Sequence, residues 1–404
     1  MTSQDNYESA VNASERVAEF VDTRRGFVHR LQHTLHTNPA LVPLIVLVAS
    51  IAIFGILLGS RFFSPGTLTL ILQQVQIVGI LAAAQSLIIL TAGIDLSVGA
   101  IAVLCSVLMG RIAFYGFGLW IPWFNEAGWL FVGLPPMPAT IAIFMALAIG
   151  TGIGAVSGWL VSRVKLPPFI VTLGMWQIVL ATNYLYSRNE TIRSQEIEAD
   201  RPMLQWMGEL INRQIVNGIE GLRGIEYAND RRPSDTGQPI LDFIWEVNIS
   251  YGILLMILLV VGLAFALRST AWGRHVYAVG DDPDAAELAG VSTRKTLMSV
   301  YMLAGFICAL AGWVMIGRFG SVSPSASTGV VGNIQAITAV VIGGISLFGG
   351  RGSIWGAFFG ALIVGVFELG LRMMGANAQW TLLLIGILII AAVSVDQWIR
   401  KVST

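Results

Sequence analysis

The sequence predicts an all-α, polytopic membrane protein with about ten transmembrane helices. Three observations lead there. Over 404 residues, 55% are hydrophobic and only 12% are charged, with a mean hydropathy of +0.73, which is far from a soluble domain. Apolar runs recur at lengths near 20 residues, and a helix rising about 1.5 Å per residue needs about that many to cross a hydrocarbon layer of about 30 Å. The runs are also continuously apolar, without the alternation that a transmembrane barrel strand would show.

The expected spans lie near 41–60, 69–90, 97–112, 137–161, 168–187, 248–267, 296–316, 332–349, 354–374 and 379–398. The third and eighth are short, and the second carries Gln73, Gln74, Gln76 and Gln85. Residues 1–40 are polar, end in Arg24, Arg25 and Arg30, and contain no short apolar core with a small-residue cleavage site; they predict a retained cytoplasmic tail. With that tail inside, the same side collects Arg163, Lys165, Arg268, Arg274, Arg294, Lys295, Arg351, Arg400 and Lys401, while the short outer loops keep only Arg61, Arg111, Arg318 and Arg372. Ten crossings return the C-terminus to the cytoplasm. Trp120, Trp123, Trp129, Trp245, Trp272, Trp380 and Trp398 fall near span ends, where an interfacial aromatic belt would place them, or pack in loops.

Two loops stand out. The outer segment 188–247 holds eleven acidic residues against seven arginines and reads as a solvated loop or a docking surface. The inner segment 268–295 is charged and contains a short helix: Asp282 caps it, Pro283 occupies the first position where its missing N–H is harmless, Asp284 and Glu287 suit the positive end of the dipole, and Gly290 stops it. Ala285 and Ala286 beside Leu288 would permit close approach of another protein.

Within the spans, Gly150, Gly154 and Gly158 recur every fourth residue, and Gly356 with Gly360 repeats the spacing; both predict close helix contacts in lipid. Cys105 and Cys308 sit in apolar runs and read as small packing residues. Asp95, in Gly93-Ile94-Asp95-Leu96-Ser97-Val98-Gly99, reads as a cap for the helix that follows, with a proton-carrying role as the alternative. Glu368 and Arg372 are spaced as an ion pair near the outer surface or as part of a solute path. Gln74, Gln85, Trp176, Asn183, Asn333 and Gln335 carry hydrogen-bonding groups inside spans, suited either to a hydroxyl-rich, uncharged solute or to gluing helices together. A faint echo links 93–99 with Gly344-Ile345-Ser346-Leu347-Phe348-Gly349-Gly350.

Several chemistries are disfavoured. No phosphate-binding G-x-x-x-x-G-K-[ST] loop occurs, so the chain has no P-loop of its own for ATP hydrolysis, and there is no H-E-x-x-H or G-x-S-x-G motif. No catalytic, metal or cofactor site is expected. Formal net charge is zero, so nothing points to nucleic acid.

Four motifs then fall in a recognisable order: TAGIDLSVGA at 91–100, KLPPFIVTLG at 165–174, GRHVYAVGDDPDAAELAGV at 273–291 and VIGGISLFGGRGS at 341–353. Together they resemble the permease family of bacterial monosaccharide ABC importers, the group containing ribose, xylose and fructose permeases. The stretch ETIRSQEIEA at 190–199 and the C-terminal run are most similar to fructose permeases, whereas the insertion from about 200 to 240 departs from compact members. The resemblance implies a permease dimer in the bacterial inner membrane, surrounded by lipid and with both termini cytoplasmic. A separate cytoplasmic ATPase would dock on 268–295, and an extracytoplasmic sugar-binding protein would deliver fructose or a related sugar. It assigns the ATPase coupling role to Tyr277, Gly280, Asp282, Pro283, Ala285, Ala286, Leu288 and Gly290, with Gly93, Asp95, Ser97 and Gly99 as a structural motif. A proton-coupled sugar transporter using Asp95 or Glu368 is the competing expectation.

Overall fold

A computed structural model of the chain describes residues 40–122, 129–211, 243, 245–377 and scattered positions from 379 to 394, with side chains described outside 119–132. The N-terminal tail, most of the 200–240 insertion and most of the tenth expected span lie outside the described residues. The helices are α1 (Leu41–Leu58), α2 (Pro65–Leu90), α3 (Val98–Tyr115), α4 (Ala139–Ser162), α5 (Pro168–Ser187), α6 (Ser194–Asp200), α7 (Tyr251–Ser269), α8 (Ala271–Asp281), α9 (Pro283–Leu288), α10 (Thr293–Phe319), α11 (Ala326–Ile342) and α12 (Ile354–Met373). Among the described residues, eight helices are long and apolar enough to cross a membrane; α11 is the shorter, ninth apolar helix. A two-stranded antiparallel hairpin, β1 (Gly118–Pro122) with β2 (Trp129–Gly133), joins α3 to α4 where only a loop is expected from sequence.

Burial separates the helices into a centre and a rim. α2, α3 and α10 are buried over most of their length, whereas α1, α4, α5 and α7 expose apolar side chains such as Ile56, Phe144, Leu185 and Phe265. Apolar surface exposed on that scale suits lipid rather than water. The central contacts are made by glycine. A Cβ on Gly150, Gly154 or Gly158 would run into Ala309 or Tyr301 of α10, and one on Gly356 or Gly360 into the backbone of Gly343 or Ala339 at the end of α11. Both stripes therefore let backbones touch, as small-residue faces do in membranes. Cys105 and Cys308 are buried and free.

Two breaks organise the centre. α2 ends at Leu90 in a left-handed turn: Gly93 N–H donates to Ile88 O, Ala92 N–H donates to Ile89 O, and Ala92 itself adopts φ 60°. This is a Schellman closure with Ala where Gly is usual. α3 restarts only at Val98. α10 likewise ends on Gly320 at φ 68°, and α11 restarts at Ala326 behind Ser325, whose hydroxyl accepts from Thr328 N–H. The two restarted helices meet end to end, because Gly99 lies against the Gly329 carbonyl and Asn333 Nδ2 donates to Leu96 O at 2.7 Å. The eighth span thus begins at Ala326 and ends at Ile342, earlier at both ends than the apolar pattern suggests. The echo at 93–99 and 344–350 marks segments that pack near one another: Gly350 N–H donates to Leu90 O, and Gly349 lies against Ala92. By position in the fold, the break at 91–97 corresponds instead to 320–325.

Arg111 corrects another expectation. It lies within α3, 3% exposed, rather than in an outer loop. Its guanidinium donates to Ser187 O, pairs with Glu190 at 3.1 Å and sits over the Tyr115 ring. That set of partners ties the start of the outer segment to the central bundle.

Candidate functional site: a braced external helix and a polar cavity

The charged segment after α7 contains two helices, not one. Thr270 starts α8 by accepting from Gly273 N–H, and α8 runs to Asp281. Asp282 then begins α9, with its Oδ1 accepting from Asp284 and Ala285 N–H, both at 3.0 Å. Gly290, at φ 86°, ends the motif. Removing the cap in Asp282→Ala is expected to cost about 1 kcal/mol locally. Amide exchange at Asp284 and Ala285 should accelerate about fivefold, while exchange within α10 stays unchanged.

α8 fixes the base of α9. Gly280 approaches so closely that a Cβ would collide with Leu90 O, and the same carbonyl accepts from Gly350 N–H at 3.0 Å. One unpaired carbonyl at the C-terminal end of α2 is thereby satisfied. Tyr277 donates its hydroxyl to Gly352 O at 2.9 Å. Burial raises the Tyr277 phenol above its ordinary range, so it stays a donor at neutral pH. On α9 itself, Ala286 turns inward at 5% exposed, whereas Leu288 is 91% exposed and Pro283 and Ala285 face out. The two alanines therefore lie on opposite faces: Ala286 seats the helix, and the outer face carries Pro283, Ala285 and Leu288.

At the other end of the bundle, the first turns of α3 and α11 border a cavity of about 400 Å³, a size suited to a small ligand. Gln73, Gln74, Arg318, Gln335, Glu368 and Arg372 supply its polar groups, with Gly99, Ser327 and Thr328 at the helix starts. Glu368 is engaged on both oxygens: Oε1 accepts from Arg372 at 2.9 Å and Oε2 from Gln335 at 3.0 Å. The ion pair and the cavity wall are thus the same residues. A shallower hollow of about 330 Å³, walled by Tyr184, Asn189, Thr191 and Ser323, shares Ser327 with it.

The six polar residues singled out inside spans occupy three different places. Gln74 and Gln335 line the cavity. Trp176 and Asn183 border a void of only about 10 Å³, and Asn183 Nδ2 donates to Pro324 O at 3.1 Å. Gln85 and Asn333 hold backbone instead: with its amide oriented to satisfy both atoms, Gln85 donates to Asp95 O and accepts from Asp95 N–H. Asp95 does not line the cavity; its Oδ1 accepts from Ser97 N–H and Ser97 Oγ, both at 2.6 Å. It caps the turn before α3, held further by Thr172 Oγ1 donating to Ile94 O. Sequence reasoning left Arg318 out of the path because one arginine near a span end looks like an interfacial anchor. That it lines one cavity with Glu368 emerges only when α10 and α12 are packed.

Residues 67–393 match the family described as "Branched-chain amino acid transport system / permease component". The chain belongs to this permease family. It is 53% identical to the fructose import permease protein FrcC of Rhizobium meliloti over 402 residues, covering 99% of this chain and 97% of that one. It is 30% identical to the ribose import permease protein RbsC of Escherichia coli K12 (90% and 94% covered). It is 31% identical to the xylose transport system permease protein XylH of Haemophilus influenzae (89% and 96% covered). No solved structure matches. The permease is thus a multi-pass membrane transporter subunit rather than an enzyme.

Proposed function

We propose that this permease is the membrane subunit of an ATP-driven importer for a monosaccharide, fructose or a related sugar such as ribose, xylose or mannose, in the bacterial inner membrane. The observation that carries the ATP-driven reading is the braced external helix α9, with Leu288 almost fully exposed on a base packed through Gly280 against the end of α2. A cytoplasmic ATPase docks there. The push passes from α9 to α8, and through Gly280, Tyr277 and Gly350 to the ends of α2, α11 and α12, whose other ends wall the cavity. Two packings of these helices then alternate access. Fructose is favoured over the other sugars by the 53% identity to a fructose import permease. An extracytoplasmic binding protein delivers the sugar, two copies of the permease form the complex, and both termini are cytoplasmic, in line with the lysine and arginine distribution.

Proton coupling is the weaker reading because neither acid is placed for it. Asp95 is committed to Ser97 away from the cavity, and Glu368 is held by Arg372 and Gln335. Vesicles holding the permease with its ATPase and binding protein should accumulate labelled fructose only with hydrolysable ATP inside the ATPase compartment. Uptake that persists without ATP and follows an imposed proton gradient would overturn the proposal.

A further inference from the structure

We propose that Arg318 is the specificity-determining cation of the transport path: its guanidinium takes hydroxyl oxygens of an uncharged polyol and repels cations, so that sugar crosses without protons, sodium or amines. The proposal rests on the cavity between α2, α10, α11 and α12 being part of that path.

The cavity's charges do not cancel. Glu368 is neutralised by Arg372 at 2.9 Å, and its second oxygen is taken by Gln335. Arg318, half-buried and lining the same cavity, has no hydrogen bond or ion pair to any described residue. Its donors are therefore available, and a guanidinium presents a fixed fork that fits two neighbouring oxygens at once. The backbone adds to this field. The N-terminal turn of α11 reaches the cavity at Ser327 and Thr328 and carries a partial positive charge, whereas at the start of α3, beside Gly99, the Asp95 carboxyl already takes the Ser97 N–H. Gln73, Gln74 and Gln335 supply amides that donate and accept without adding charge. Such a lining favours lone pairs of hydroxyl groups and opposes any cation, by the same physics that lets an arginine and half-helix dipoles exclude protons from other neutral-solute channels. A neutral sugar needs this discrimination, because a path wide enough for a hexose is wide enough for a hydrated ion.

The test uses the assembled importer in vesicles loaded with a sodium-sensitive dye. Wild-type permease should take up sugar with ATP while the vesicles stay as tight to sodium as empty ones. With Arg318→Gln, uptake at saturating binding protein should fall about tenfold, the loss expected for one charge-assisted hydrogen bond, and sodium should enter during turnover. Arg318→Lys should keep the vesicles tight but restore uptake only in part, since an ammonium lacks the fork; it also reports on the charge if the glutamine variant does not fold. Unchanged uptake in Arg318→Gln, sodium tightness in that variant during turnover, or sodium entry in Arg318→Lys overturns the proposal. Absent uptake in wild type counts against the importer reading instead.

Discussion

Gly154→Leu is expected to remove the folded permease from the membrane, while Gly152→Leu, two residues away on the same helix, leaves it intact. A Cβ on Gly154 meets the Tyr301 carbonyl and the Gly305 backbone of α10, whereas one on Gly152 meets nothing within 4 Å. Overpacking costs about 1–3 kcal/mol where side chains can move aside. Here the obstacle is backbone, so α4 and α10 must separate, and with them the packing around buried Cys105 and Tyr301. The readout is the monodisperse yield in mild detergent. Equal yields for the two variants would show that the glycine stripe does not hold the centre together.

Leu288→Asp is expected to abolish ATP-driven uptake by the assembled importer with normal membrane insertion. Leu288 stands 91% exposed and contributes almost nothing to the permease's own packing, so its loss leaves the fold unharmed. A central apolar anchor at an interface is worth about 2 kcal/mol or more, roughly 30-fold in association, and a carboxylate adds a desolvation cost. Co-purification of the ATPase measures it directly. Ala286→Arg makes the informative contrast: Ala286 is buried beneath α9, so that substitution should unseat the helix and raise amide exchange across 283–288 as well as weaken ATPase binding. If Leu288→Asp retains the ATPase, α9 is not the docking element.

These expectations draw unequally on sequence and on packing. Most span limits among the described residues were legible because apolar length alone decides whether a helix can cross lipid: α5 spans 168–187 as read, and α12 ends within a residue of its expected limit. The cap at Asp282 and the stop at Gly290 were legible because they are local chemistry, with partners two or three residues away. The start of α11 was not, because polar Ser325, Ser327 and Thr328 interrupt the hydropathy where tertiary contacts with α3 make helix worthwhile. α8 was missed for a related reason. Its charged residues read as loop, yet buried Val276 and Val279, with Gly280 against α2, hold one face down.

By itself, the sequence determined the class, most of the described spans, the capped helix outside them and, through four ordered motifs, the family. All of these depend on composition or on neighbours along the chain. Only the tertiary structure decided which side of α9 is free, that Asp95 serves a turn rather than a path, and that Arg318 lines one cavity with the Glu368–Arg372 pair. Each of those depends on how separate helices pack, as Arg318 of α10 and Arg372 of α12 line one cavity only in the folded bundle, and no hydropathy pattern records that direction.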